Sequence, residues 1–117
     1  MAELNQKAES FKHFVEKKDT KAFVVDPIKD DPFHTVVFRS HMDVDGTPLQ
    51  LIVVLDDSAF GVIRVLLAPK ALKEGNKEAL LSLLNEYNRT YKAFKFYLDK
   101  EESLIMDTCV IFREPQV

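Results

Sequence analysis

The chain has 117 residues, of which 46% are hydrophobic and 30% charged, and its formal net charge is −3. This length suits one globular domain with its own core, and the chain is too apolar and too weakly charged to be intrinsically disordered. No apolar run approaches the ~20 residues that span a bilayer, which excludes an integral membrane protein. We therefore expect a single domain over residues 1–117.

The first segment predicts an amphipathic helix. Apolar residues recur at spacings of three and four, and a fifth widens the stripe: Leu4, Ala8, Phe11 and Val15, with Phe14. Asp19 and Thr20 end the pattern. The following connection contains a short extended piece, Ala22 to Val25, before Asp26-Pro27 and then Asp30-Asp31-Pro32 turn the chain.

Three strands follow and predict an antiparallel meander. Residues 34–44 alternate, with Val36, Phe38, Met42 and Val44 on one face. Asp45-Gly46 is a strong hairpin signal, because both positions tolerate a positive φ. The second strand, 48–55, and the third, 60–67, are apolar on both faces apart from a few residues such as Arg64.

A second helix is predicted from about Asn76, as N-cap, to about Thr90. Its expected buried stripe is Ala79, Leu80, Leu83, Leu84, Tyr87 and Tyr91. Residues 93–98 and 104–112 read as two further strands. The predicted fold is therefore α+β, with a single antiparallel sheet and the element order α-β-β-β-α-β-β.

The compartment is predicted from the first residues and from cysteine usage. Residues 1–10 are polar and helix-forming, without the apolar core of a signal peptide. The single cysteine, Cys109, lies in an apolar stretch, where we expect a buried, inert thiol. A catalytic thiolate would need a basic or helix-N-terminal environment, which its neighbours in sequence do not supply. We expect a cytoplasmic protein.

Metal and cofactor sites find little support in the sequence. His41, Asp43 and Asp45 share parity and are able to converge on a cation, but a strand running into a hairpin explains them more simply. The Asp-Val-Asp-Gly run at 43–46 resembles a fragment of a calcium loop but lacks its closing Glu and flanking helices. We predict no metal and no cofactor.

The sequence gives only weak support for a catalytic nucleophile or for a nucleic-acid-binding surface. Ser40 and His41 point to opposite faces, and Ser58 has no evident base. A basic and aromatic run could form a stacking platform, although helix capping and core packing account for it as well: Arg89, Tyr91, Lys92, Phe94, Lys95 and Tyr97. We predict a protein that is not an enzyme and does not bind nucleic acid.

One segment resembles a known family. The run Leu-Leu-Ser-Leu-Leu-Asn-Glu-Tyr-Asn at 80–88, followed by Phe-Lys-Phe-Tyr-Leu-Asp at 94–99, an acidic turn and a strand, is similar to the YbjN-type family of bacterial sensory transduction regulators. The resemblance implies a fold like that of class I type III secretion chaperones, which are small acidic proteins, commonly homodimers, that bind extended polypeptides. That fold usually closes with a further helix after the last strand, and we expect none before Val117. Asn85 and Asn88 match the family pattern, and we interpret them as structural.

These observations favour a non-catalytic protein-binding or regulatory module, which dimerises or captures a partner polypeptide. The alternative is a small metal-dependent regulator using His41 and Asp43, or a nucleic-acid-binding one. The candidate protein-binding residues are Val37, Ile52 and Val54, which parity places on the sheet face opposite Leu51 and Val53. We expect a homodimer through this face or its neighbouring edge, unless the first helix covers the face or the strand curls so that the apolar patch is small.

Overall fold

The computed structural model describes residues 4–18 and 23–111. Within them lie two helices and six strands: α1 (Gln6–Lys18), β1 (Val24–Pro27), β2 (Val36–Val44), β3 (Thr47–Leu55), β4 (Phe60–Ala68), α2 (Lys77–Thr90), β5 (Lys95–Leu98) and β6 (Leu104–Ile111). The strands form one antiparallel sheet in the order β1-β2-β3-β4-β6-β5. The α+β class, the single antiparallel sheet and the central meander are confirmed. The predicted order is wrong by one element, because β1 adds a strand before the meander.

The extra strand β1 also corrects the predicted turn at Asp26-Pro27. Both residues are in the sheet, paired with Val37 and Val36 of β2. An edge strand tolerates proline, since one side of its backbone has no strand to bond. The chain instead turns over residues 28–35, where Asp31 accepts a hydrogen bond from the Thr35 amide at 2.8 Å.

The hairpin between β2 and β3 forms at the predicted turn. Asp45 and Gly46 both have positive φ, 50° and 83°, which matches the twist of the flanking strands. This turn fixes the register, in which Val44 pairs with Thr47 and Phe38 with Val53. The register in turn decides which side chains share a face.

Helix α1 packs over β1, β2 and β3. Ala8 is fully buried against Phe38 and Val53, in a cluster joined by Phe11. Asn5 caps the helix, because its Oδ1 accepts the Ala8 amide while its Nδ2 donates to the carbonyls of His34 and Leu55. Phe14, expected in the buried stripe, is 56% exposed. The predicted stops at Asp19 and Thr20, the start of the extended piece at Ala22 and the strand end at Phe112 lie outside the described residues.

Helix α2 packs over β5 and β6 in a second cluster. Its buried residues Leu80 and Leu84 lie on the sheet side, and Leu84 belongs to a core with Phe96 and Leu104. Leu83, Tyr91 and Ala79 were expected in the same stripe but are exposed, Leu83 by 42%. The predicted stripe was too wide, because a small sheet surface buries only the centre of the helix face. The helix begins after Asn76 as predicted, although the Asn76 side chain bonds to Lys73 and Ala71 instead of capping it.

Both helices lie on the same face of the sheet. Cross-strand pairing shows that the residues packed against α1 and those packed against α2 point to the same side of the sheet. Phe38 and Val53 lie under α1, Met106 and Phe96 lie under α2, and β4 links the two sets through Ile63 and Val65. The first helix therefore does not cover the face that carries Ile52 and Val54.

Candidate binding face of the sheet

The face opposite the helices, here called the open face, is assembled by register across all six strands. Its members are Val24, Asp26, Val37, Arg39, His41, Gln50, Ile52, Val54, Val62, Arg64, Leu66, Lys95, Tyr97, Ile105, Asp107 and Cys109. They stand in three rows perpendicular to the strands, because cross-strand partners lie side by side. The rows differ in chemistry: the first is mainly apolar and the second carries most of the charge. The third row consists of His41, Gln50, Leu66, Ile105 and Tyr97.

The first row is apolar apart from Asp26 at its β1 end, and it contains two of the three predicted binding residues. Val37 pairs with Val54, Val54 with Val62, and Val62 with Cys109. Val37 is buried and Val54 and Val62 are half-buried, while Cys109 is exposed, so its predicted burial is wrong. Cys109 is exposed because β5 does not extend beside it and both helices are on the other face. The third predicted residue, Ile52, is half-buried in the next row.

The second row, here called the ionic row, contains most of the charge. In order across β2, β3, β4, β6 and β5 it runs Arg39, Ile52, Arg64, Asp107, Lys95. Its centre is a bidentate ion pair, since Nε and a terminal nitrogen of Arg64 donate to the two oxygens of Asp107 at 2.8 and 2.9 Å. Tyr97, from the third row, donates its hydroxyl to the same carboxylate at 2.8 Å.

This network shifts the pKa of all three groups. Burial opposes ionisation of Asp107, but the hydrogen bonds from Arg64 and Tyr97 outweigh it and hold the Asp107 pKa below its ordinary value. The hydrogen bond to Asp107 raises the pKa of Arg64, although burial acts the other way. Burial, together with the bond to Asp107, raises the pKa of Tyr97. The three groups therefore keep a fixed ionisation state at neutral pH: Asp107 charged, Arg64 charged and Tyr97 neutral.

The remaining cations of the ionic row also have partners on the open face. Arg39 lies 3.3 Å from a carboxylate oxygen of Asp26. The Lys95 ammonium sits 4.8 Å from the centre of the Tyr97 ring, in cation–π geometry. The charges of this face are thus largely neutralised by their own neighbours.

The Arg64–Asp107–Tyr97 network was not predicted from the sequence, because its members are far apart in the chain. One signal was available: Arg64 and Asp107 are isolated charges of opposite sign within two apolar strands. Adjacent strands carrying such charges are expected to pair them, but the adjacency of β4 and β6 was not predictable from local pattern. Asn88 was correctly interpreted as structural, since its amide donates to the Phe96 carbonyl and accepts the Phe96 amide.

Two further polar features lie near the end of the sheet where α1 begins. The Lys7 ammonium donates to the Ser58 and Phe60 carbonyls and approaches Asp56, beside a groove of about 960 Å³ between α1 and β4. Nδ1 of His34 lies 2.5 Å from a carboxylate oxygen of Asp57, and both side chains are largely exposed. Both features join residues that are distant in sequence, and neither was predicted from local pattern.

The other candidate residues from the sequence are dispersed. His41 and Asp43 are exposed towards the β2–β3 hairpin, where Asp45 forms the turn, and the described residues contain no group of three metal-ligating side chains. Ser40 and His41 pair with Leu51 and Gln50 and so lie on opposite faces.

The basic and aromatic run is divided in the same way. Lys95 and Tyr97 lie on the open face, whereas Tyr91 stacks near Phe96 on the helix side and Arg89 pairs with Glu86. Six residues that are close in sequence therefore do not form one platform.

The structure defines an α+β domain whose six-stranded sheet has helices on one face and a largely charge-neutralised open face on the other. No family model, curated protein or solved structure matches the chain. Neither helix of the described chain has the length and apolar composition needed to cross a membrane.

Proposed function

We propose that this chain is a non-catalytic protein-binding or regulatory module, a chaperone-like adaptor that acts through its open face by dimerisation or by capture of a partner polypeptide. The observation that carries the proposal is the packing of both helices on one face of the sheet. The apolar row on the other face is the kind of contiguous apolar surface that marks an interface in soluble proteins.

The polar network of the open face supports binding in preference to catalysis. The two oxygens of Asp107 already accept three hydrogen bonds from Arg64 and Tyr97. A carboxylate with a lowered pKa and satisfied oxygens is poorly suited to accept a proton from a substrate. These hydrogen bonds also suit burial under a partner, since the charges of Arg64 and Asp107 would remain paired.

The element order supports the family resemblance as part of the proposal. A helix, a three-stranded meander, a second helix and two strands occur in the order that a YbjN-type, secretion-chaperone-like fold implies, with β1 added at one edge. We place the protein in the cytoplasm, because an exposed free thiol such as Cys109 persists best in a reducing compartment.

A photo-reactive amino acid placed in the open face tests this function. We replace Val54 with benzoylphenylalanine, express the variant in cells that make the protein, irradiate and identify adducts by mass spectrometry. The matched control carries the same residue at Leu81, which is exposed on α2. Polypeptide adducts at position 54 that are absent at position 81 are expected, and equal or absent labelling at both positions would overturn the proposal.

A further inference from the structure

We propose that the open face pairs with the open face of a second copy of this chain, around a two-fold axis that runs parallel to the strands between β3 and β4. The inference rests on the proposed function, because it names the partner of the same surface. Four properties of the face lead to it: its size, its internal charge pairing, the order of charges in the ionic row, and the blunted strand edges.

The size of the open face matches what a stable dimer buries. Four strands of eight or nine residues and two of four residues form the sheet. With strands ~4.8 Å apart and ~3.3 Å per residue, the face covers roughly 650 Å². Stable protein interfaces bury about 600–1,000 Å² on each partner. One sheet laid on another therefore supplies a sufficient contact without either helix.

The internal charge pairing removes the main cost of burying this face. An unpaired charge under a partner would be strongly unfavourable. Within each copy, Arg64 and Asp107 form a bidentate ion pair, and Arg39 forms an ion pair with Asp26. A face that is neutralised by its own residues needs no complementary partner and is able to pack on itself.

The position of the axis follows from the apolar row. A two-fold axis along the strands between β3 and β4 places β3 over β4 of the second copy and β2 over β6 of the second copy. This rotation leaves the position along the strand direction unchanged, so each row of one copy faces the same row of the other. Val54 then lies opposite Val62, and Val37 opposite Cys109, so apolar side chains meet apolar side chains as in a packed pair of sheets.

The ionic row distinguishes this axis from the alternative. Around the axis along the strands, Arg39 of one copy faces Asp107 of the other, and Lys95 faces the uncharged Val24 of β1. An axis across the strands, through the ionic row, would place Arg39, Arg64 and Lys95 each opposite its own copy. Like charges in contact oppose association, so the observed order of charges favours the first geometry.

Two copies could instead associate edge to edge, by adding a strand of one copy to the sheet of the other. The edges of this sheet disfavour that arrangement. The outward-facing amide and carbonyl of Phe96 in β5 are both bonded to the Asn88 side chain. The other edge strand, β1, is four residues long and contains Pro27. Short, proline-containing or covered edges resist pairing with a new strand. Self-association is therefore directed to the face.

Sedimentation equilibrium of the purified full chain at micromolar concentration tests the dimer. The wild type is expected at twice its chain mass of 13.4 kDa. Val54→Glu places a carboxylate in the apolar row next to the axis, and we expect it to raise the dissociation constant on the order of 100-fold, a conservative consequence of burying two unpaired charges. Leu81→Glu, on the exposed side of α2, is the matched control and should leave the constant unchanged.

Cysteine cross-linking keeps the test decisive if Val54→Glu fails to fold. Val54→Cys in a Cys109→Ser background is a conservative change near the axis, and a short bismaleimide should link two copies. Leu81→Cys in the same background should not be linked. A wild type that remains monomeric, or a dimer that is linked at position 81 and not at 54, overturns the proposal. Adducts at position 54 with a different protein would then preserve the proposed function while excluding the second copy.

Discussion

The substitution Leu84→Ala, compared with Leu83→Ala, tests how α2 sits on the sheet. Leu84 is 6% exposed and packs in the cluster with Phe96 and Leu104, whereas its neighbour Leu83 is 42% exposed. Truncating a buried leucine costs about 2–5 kcal/mol, the larger values being reached where the cavity does not collapse. The second cluster has few fully buried members and lies at the end of the sheet, so partial collapse is expected, and we predict about 3 kcal/mol for Leu84→Ala.

The control substitution is expected to cost much less. Leu83 keeps nearly half of its surface in water in the folded state, so its truncation loses only part of the transfer free energy, and we predict a cost below about 1 kcal/mol. Urea unfolding at one fixed protein concentration measures both, since association makes stability depend on concentration. With a slope of about 1.5 kcal/mol per molar urea, Leu84→Ala should lower the midpoint by about 2 M and Leu83→Ala by less than ~0.7 M. Equal shifts, or an unchanged midpoint for Leu84→Ala, would refute the placement of α2.

Three further predictions concern the ion pair, the hairpin turn and metal binding. Asp107→Asn should lower stability by about 1–2 kcal/mol at pH 7. Because the Asp107 pKa is depressed in the folded state, this contribution is complete above the ordinary aspartate pKa of about 3.9 and is lost as pH falls through the folded value, so the difference between the urea midpoints of the two proteins should shrink as the pH is lowered below the ordinary pKa. Gly46→Ala should cost about 1 kcal/mol in thermal unfolding, since φ is +83° and nothing lies within 4 Å of the added methyl group; a neutral result would contradict the left-handed turn. Zinc or calcium at tenfold excess should leave the melting temperature unchanged, and a rise of several degrees that His41→Ala abolishes would reveal a metal site.

The local patterns of the sequence predicted most of the elements. The alternation in β2 and β3, the positive-φ pair at Asp45-Gly46 and the helix start after Asn76 depend on neighbouring residues, which a single sequence displays directly. The placement of Ile52 and Val54 on one face also depends only on the alternation of neighbouring residues along β3. What these features share is that no distant contact is needed to decide them.

The wrong predictions concern residues whose environment depends on contacts between distant parts of the chain. Cys109 has apolar neighbours in sequence, yet it is exposed because its side chain belongs to the face without helices. Leu83 fits the helical stripe, but the narrow contact with β5 and β6 does not reach it. The Arg64–Asp107 pair spans 43 residues and depends on β4 and β6 being neighbours.

The separation of the core into two clusters has a consequence for how the molecule opens. One cluster joins α1 to the strands at one side of the sheet, and the other joins α2 to the strands at the opposite side, so the backbone ladder of β4 is the main link between them. Proteins open in cooperative units that follow such boundaries, each with its own opening free energy. The half built on α2, with the smaller set of buried side chains, is expected to exchange its amide hydrogens sooner than the half built on α1. A partner laid across the open face would span both halves and make them open as one unit.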